Sequence, residues 1–211
     1  MSETLLQLNA SIFSKDGQTT RLADQFVAGW RKQNPGAAVV VRDLSREPVP
    51  HLTAERFQAF ITPADKRSVE QRAAVAYSDA LIDELRRADV IVLAVPMYNF
   101  DVPSTLKAYF DHIARAGVTF KYTEKGPVGL LDGKQAYVFA ARGGYYAGTA
   151  ADTHSAYLRN FLRLLGITDV EFVYAEGLAM GDAPKQKGLA EAQQAVARIV
   201  TQLNQQDAVA A

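Results

Sequence analysis

The stretch Val90-Ile91-Val92-Leu93-Ala94-Val95 is an unbroken apolar run. A strand with one wet face alternates polar and apolar residues, whereas a central parallel strand is covered on both faces and loses that alternation. Such a run demands helices above and below a sheet, and the rest of the chain supplies them. Thr4 to Asn9 reads as a first strand, followed by a helix over Thr19 to Lys32 whose Leu22, Phe26 and Trp30 recur at i, i+4 and i+8. Val39 to Val41 gives a second strand, and Val69 to Arg87 a helix with Val75, Ser78, Ile82 and Leu85 on one stripe. After the apolar run come a helix over Ser104 to Arg115, an excursion strand over Val118 to Tyr122 among Gly and Pro residues, and a strand over Gln135 to Ala141. Helix Thr153 to Leu165, strand Val170 to Ala175 and helix Leu189 to Leu203 close the pattern.

Five strands alternating with five helices predict a doubly wound parallel α/β sheet, because right-handed crossovers place helices on both faces. With 211 residues the chain suits one domain, 1–211, with residues 205–211 read as a frayed tail. The connection from Asp43 to Lys66 carries Pro48, Pro50, Pro63, Phe57 and Phe60 and exceeds the ~12–15 residues of a plain loop. It reads as a lid containing a short helix, or as a segment packed on its own sheet edge.

Charge and composition exclude several classes. Lys+Arg and Asp+Glu are 23 each with no basic block, so nucleic acid is not an expected partner. The absence of cysteine removes disulfides, thiolate metal sites and a cysteine nucleophile, and fits a reducing cytoplasm. No apolar run approaches the ~20 residues of a spanning helix, and Met1-Ser2-Glu3-Thr4 lacks a basic leader region. His51, His112 and His154 are scattered without ligand spacing, so solvated or capping roles are expected of them and no metal site.

In a doubly wound sheet, ligands bind beyond the carboxyl ends of the strands. The loop after the first strand, Ala10 to Thr19, is rich in hydroxyl and small residues and runs into a helix N-terminus, a ready phosphate site; a long turn with Thr19 as N-cap explains it equally. It is neither a dinucleotide fingerprint nor a P-loop, since the only Gly-Lys, Gly133-Lys134, lacks the first glycine and the final hydroxyl residue. Pro96-Met97-Tyr98-Asn99-Phe100-Asp101-Val102-Pro103, at the end of the most buried strand, mixes aromatic and amide groups as a flat ligand with a few polar edges requires, or as a rigid turn does. Arg142-Gly143-Gly144 offers bare backbone N–H donors or a flexible turn.

The run Pro96-x-Tyr98-Asn99-x-x-x-Pro103-x-x-Leu106-Lys107-x-x-x-Asp111 resembles the signature of flavodoxin-like FMN-dependent NAD(P)H reductases. With Met97 to Phe100, Ala114 to Glu124, Arg142-Gly143-Gly144 and Gly166 to Val170, the whole chain resembles the bacterial FMN-dependent NADH azoreductases and NAD(P)H quinone oxidoreductases. The resemblance implies a flavodoxin-like five-stranded sheet of order 2-1-3-4-5 and one non-covalent FMN per subunit. It implies that Ser11, Gly17, Gln18 and Thr19 hold the phosphate, and that Met97, Tyr98, Asn99, Phe100, Ala141, Arg142, Gly143 and Gly144 line the isoalloxazine. It implies a homodimer with pockets between subunits, to which Phe60, Phe120, Tyr122, Tyr146 and Phe161 contribute. The family often has Ser where Gly17 and Ala141 stand and His where Tyr146 stands.

The implied activity is two-electron, ping-pong reduction of quinones, azo compounds or nitroaromatics with NADH or NADPH as donor, the cofactor rather than a protein nucleophile carrying the chemistry. A non-catalytic flavodoxin-like electron carrier is the alternative, but small carriers are strongly acidic and this chain is neutral. A response-regulator module would need an acidic pair after the first strand, which is absent.

Overall fold

The computed structural model describes residues 3–210. Its elements run β1 (Thr4–Asn9), α1 (Gln18–Gln33), β2 (Ala38–Asp43), α2 (Ala54–Ile61), α3 (Val69–Arg87), β3 (Val90–Pro96), α4 (Ser104–Ile113), β4 (Phe120–Thr123), β5 (Gly126–Gly129), β6 (Gln135–Ala141), α5 (Thr153–Leu165), β7 (Asp169–Ala175) and α6 (Asp182–Ala210). The main sheet is parallel with order β2-β1-β3-β6-β7. Counting its own strands alone, that is the expected 2-1-3-4-5.

β3 is buried at every position and sits at the centre. Ile91, Leu93 and Val95 face one core with Leu81, Ile82 and Leu85 of α3, Tyr109, Phe110 and Ile113 of α4, and Leu158 and Leu162 of α5. Val90, Val92 and Ala94 face the other, with Phe26 and Trp30 of α1 and Val196 and Ile199 of α6. Phe26 packs its ring 4.5 Å from Tyr137 and 5.6 Å from Phe139, which ties α1 to β6. Burying a side chain of that size contributes ~1.5–3 kcal/mol.

Helix ends follow local chemistry. Ser68 and Gln71 form a capping box at the start of α3. Asp152 accepts from Ser155 N at the start of α5, and Gly166, at φ 98°, ends that helix in the left-handed conformation.

Two expectations change. The excursion strand begins at Phe120 rather than Val118 and pairs antiparallel with β5, whose Gly-Pro-Val-Gly composition carries almost no strand propensity. Gly129 approaches the end of α5 so closely that a Cβ there would lie 2.0 Å from Gly166 N. The segment between Asp43 and Lys66 does form a helix, capped by Thr53, but α2 rests beside α3 and α4, with Phe60 edge-on to His112 at 5.9 Å. α6 is described to Ala210, and residue 211 lies outside the described residues.

Candidate functional site

At the carboxyl edge of the sheet, a cleft of about 270 Å³ is lined by Ser11, Phe13, Asp16, Gly17, Gln18, Thr19, Pro96, Met97, Tyr98, Ala141, Arg142, Gly143 and Leu178. The topology explains the convergence: β1, β3 and β6 are adjacent and parallel, so the loops after them open on one side.

One end of the cleft is the N-terminus of α1. Its N-cap, Gly17, supplies no side-chain acceptor, and Arg21 N is the first amide to find a helical partner, Gly17 O at 3.0 Å. The amides of Gln18, Thr19 and Thr20 are thus free to point at an anion, and the helix dipole favours negative charge there. Thr19 Oγ1 is wholly buried and without a hydrogen-bond partner, which in a dry site costs ~1–3 kcal/mol unless a ligand satisfies it. Ser11 is buried at its side and accepts from Phe13 N at 3.2 Å. A Cβ on Gly17 would lie 2.3 Å from Ser11 Oγ, so the missing side chain is what lets the loop close around that hydroxyl. These features fit a phosphate monoester. Asp16, the one carboxylate in the lining, pairs with Arg21 at 3.6 Å.

The other end is flatter and more apolar: Pro96, Met97 and Tyr98 from the loop after β3, and Ala141 to Gly143 after β6. Tyr98 N and O bond Asp101 O and N at 2.9 and 3.1 Å, closing a two-residue turn. Its central residues, Asn99 and Phe100, have φ of 51° and 68°. Positive φ at both positions is the hallmark of the primed hairpin turns; asparagine tolerates it, whereas phenylalanine is strained there by ~1–2 kcal/mol. The loop after β6 is tied to the turn after β7: Leu178 N, Ala179 N and Gly177 N donate to the carbonyls of Arg142, Gly143 and Gly144 at 3.1, 3.0 and 3.1 Å.

Of the residues expected to bind the cofactor, Ser11, Gly17, Gln18, Thr19, Met97, Tyr98, Ala141, Arg142 and Gly143 are brought together. Asn99, Phe100 and Gly144 lie next in the chain but outside the lining. Arg142 contributes backbone only. Its guanidinium is buried on the far side, bonded to Asp152 at 2.9 Å, Ser155 at 2.6 Å and Glu176 at 3.2 Å, and stacked 4.5 Å over Tyr174. The buried arginine and the amide of Ser155 hold the Asp152 carboxyl below its usual range, although burial alone would raise it. His154 lies 3.5 Å from that guanidinium; burial first, and the arginine's charge second, push its pKa down to about 4.

None of the expected pocket aromatics is in the lining of its own chain's cleft, but Tyr146 stands beside it, over the neighbour of the lining residue Gly143. Phe60 sits on α2, with the Arg115 guanidinium 4.9 Å above its ring. Phe120 is buried beneath an exposed Tyr122, their rings edge-on at 5.4 Å. Phe161 stacks on Phe110 at 3.9 Å. Tyr146 lies over Gly144, edge-on to Phe100 at 5.6 Å. The histidine reading is corrected in part: His51 is exposed, but His112 and His154 are buried, His112 Nε2 bonding Pro50 O at 3.0 Å. Among the described residues, no group of three His, Cys, Asp or Glu side chains could hold a metal, and no helix is long and apolar enough to cross a membrane.

Sequence reading missed Phe13, Asp16, Pro96 and Leu178. The last follows β7, at Ala175-Glu176-Gly177-Leu178; the strand-end rule that singled out three loops applies equally to this fourth.

A parallel sheet of this order, with an uncapped helix N-terminus after its first strand and a flat apolar slot beside it, defines the flavodoxin-like class of proteins. The family model described as a flavodoxin-like fold matches residues 3–200. An FMN-dependent NADH:quinone oxidoreductase of Cellvibrio japonicus (strain Ueda107) is 59% identical over 178 residues, covering 84% of this chain and 89% of that one. An azoreductase from Bacillus anthracis str. Sterne superposes with a TM-score of 0.86 at 26% identity, covering 95% of this chain and 99% of that one. An FMN-dependent NADH-azoreductase from Bacillus anthracis str. Ames Ancestor, solved in complex with FMN, superposes with a TM-score of 0.82 at 27% identity, covering 94% and 99%. The chain belongs to the flavodoxin-like family of FMN-dependent NADH:quinone oxidoreductases.

Proposed function

We propose that this chain is an FMN-dependent NADH:quinone oxidoreductase that also accepts azo compounds, working as a homodimer with one FMN per subunit. The observation that carries the reading is the pairing of an unsatisfied, buried Thr19 hydroxyl at an uncapped helix N-terminus with an apolar slot one loop away. The names of the relatives point the same way.

The amides of Gln18, Thr19 and Thr20 and the Thr19 hydroxyl hold the phosphate, and Ser11 supports their loop. Met97, Tyr98 and the backbone of Ala141 to Gly143 hold the ring system between two tied loops. When bound, FMN supplies the redox chemistry, taking a hydride from NADH and passing two electrons to the acceptor. No histidine lines the cleft, and its one carboxylate is at the phosphate end, so the protein's work is to orient ring systems and to exclude water from one face. A homodimer is supported by Tyr122, which is exposed and lies away from its own chain's cleft, with Phe120 packed beneath it, and by the partly buried Phe60 and Phe161, also outside that cleft. Asn99, Phe100, Gly144 and Tyr146 flank the slot in the same chain and complete its wall.

Titrating the chain with FMN and then adding NADH without oxygen tests the reading. Visible flavin bands that form at one equivalent, bleach with NADH and return with a quinone are expected. No uptake of FMN would overturn it, and uptake without bleaching by NADH would favour the electron carrier.

A further inference from the structure

Glu176, the third partner of the Arg142 guanidinium, is charged, largely buried and outside the lining of the cleft. It follows β7, and its Oε1 accepts three hydrogen bonds: from Arg142 Nη1 at 3.2 Å, Tyr146 N at 2.8 Å and Ala147 N at 2.9 Å. The two amides belong to an otherwise exposed loop, residues 143–151, that runs past the apolar end of the cleft. Glycine, alanine and threonine dominate this loop, so little apolar burial fixes it, and its shape has to come from hydrogen bonds.

The anchors divide the loop into two parts. Gly143 and Gly144 are tied through their carbonyls to the amides of Ala179 and Gly177, bonds that need no side chain. Tyr146 and Ala147 are held through their amides by the Glu176 carboxylate. The same oxygen is pinned by Arg142, which Asp152 and Ser155 hold in turn from the start of α5. Charge-assisted bonds to a fixed, largely buried carboxylate are stronger than neutral ones and directional. The Tyr146 ring, edge-on to Phe100 at 77°, therefore stands where Glu176 puts its backbone.

We infer that Glu176 is a positioning residue for the acceptor slot: it fixes Tyr146 against Phe100 and so sets the wall that receives the second substrate, while the FMN-binding glycines keep their own anchors. The inference rests on the proposed reductase reading. It predicts a separation of effects that a general loss of stability does not produce. Without the carboxylate, the slot loosens for nicotinamide and acceptor, and FMN stays bound.

The test compares wild type, Glu176→Ala and Glu176→Gln. In the apo chain, hydrogen exchange of the 145–148 segment should speed up about ten-fold or more in Glu176→Ala and much less in Glu176→Gln, whose Oε1 still accepts both amides. With FMN bound, Glu176→Ala should raise the KM for a soluble quinone about ten-fold, leave kcat within about two-fold and leave the FMN Kd within about three-fold, with Glu176→Gln restoring most of the KM. Asp152 and Ser155 remain on Arg142 in both variants, which keeps the guanidinium paired. Unchanged exchange in the apo Glu176→Ala chain overturns the inference, as does an unchanged KM or a KM rise matched by an equal loss of FMN affinity. Failure of the wild type itself to take up FMN would instead overturn the reductase reading, and the exchange arm would still decide what holds the loop.

Discussion

Thr153 Oγ1 donates to Phe100 O at 2.5 Å, joining the first residue of α5 to the turn after β3 across 53 positions of sequence. This bond fixes the strained turn from outside, since Phe100 holds a φ of 68° that no aromatic residue prefers. Asp152 and Ser155, on either side in the same helical turn, hold Arg142 beneath the loop after β6. One helix start thus braces both loops that flank the slot.

Thr153→Val keeps the side-chain shape and removes the donor. It should lower stability by ~1 kcal/mol, read from the urea midpoint, and raise the acceptor KM several-fold with FMN affinity unchanged. A variant with wild-type KM would show that the turn holds its shape unaided.

Asn99 separates into a backbone role and a side-chain role. Its φ of 51° suits glycine as well as asparagine, so Asn99→Gly preserves the turn and deletes only the amide, whereas Asn99→Ala adds strain. If the amide holds a polar edge of the isoalloxazine, both variants should weaken FMN by ~1–3 kcal/mol, with only Asn99→Ala also losing thermal stability. Equal FMN affinity in wild type and Asn99→Gly would leave Asn99 with the turn alone.

The Ser11 hydroxyl occupies the place where a residue-17 side chain would go. Gly17→Ala should therefore push the loop open and weaken FMN at least ten-fold, a change of about 1.4 kcal/mol. Deleting the obstructing hydroxymethyl in Ser11→Gly/Gly17→Ala should recover part of that loss, and isothermal titration of Gly17→Ala, Ser11→Gly and the double variant measures it. Full additivity of the two losses would show that the residues do not compete for one space.

How much of this was legible in sequence follows from which signals are local. The apolar run at Val90 to Val95 fixed the centre of the sheet, and the helical stripes through Phe26 and Ile82 supplied its two cores, because burial on a periodic element leaves a periodic trace. The strand ends pointed to Ser11, Thr19, Met97 and Gly143. The hairpin strand β5 left no trace, being specified by pairing with β4 and by close approach to Gly166 rather than by its own residues. Nor could spacing show that the Arg142 side chain turns away from the cleft while its backbone lines it: that depends on Asp152, Ser155 and Glu176, 10 to 34 residues away.

If one slot receives both nicotinamide and acceptor, the oxidised coenzyme has to leave before the acceptor enters. Initial velocities against NADH and a quinone should give parallel double-reciprocal lines, and azo compounds should consume two NADH per bond cleaved. Intersecting lines would mean that both substrates are bound at once, and the shared slot would be rejected.

His154 makes the fold sensitive to mild acid. Its ring is wholly buried with Nε2 unpartnered, faced by the Arg142 guanidinium from the loop after β6, by Asp152 from its own helix start and by Asp101 from the turn after β3. Burial and the arginine outweigh the two carboxylates and lower its pKa from 6.5 to about 4. The unfolded chain therefore takes up a proton near pH 6.5 that the folded chain refuses until about pH 4, so stability is full above that upper value and falls as pH drops through the interval. At pH 5 the loss amounts to ~2 kcal/mol relative to pH 7.5. His112, also lowered chiefly by burial, adds in the same direction, and Asp152 extends the loss below its ordinary carboxylate range. Urea unfolding at pH 7.5 and pH 5 measures the difference, and His154→Gln, uncharged at both, should remove most of it whatever its absolute stability. Equal midpoints at the two pH values in wild type, or an undiminished difference in the variant, would show that the buried ring is not what couples folding to protons.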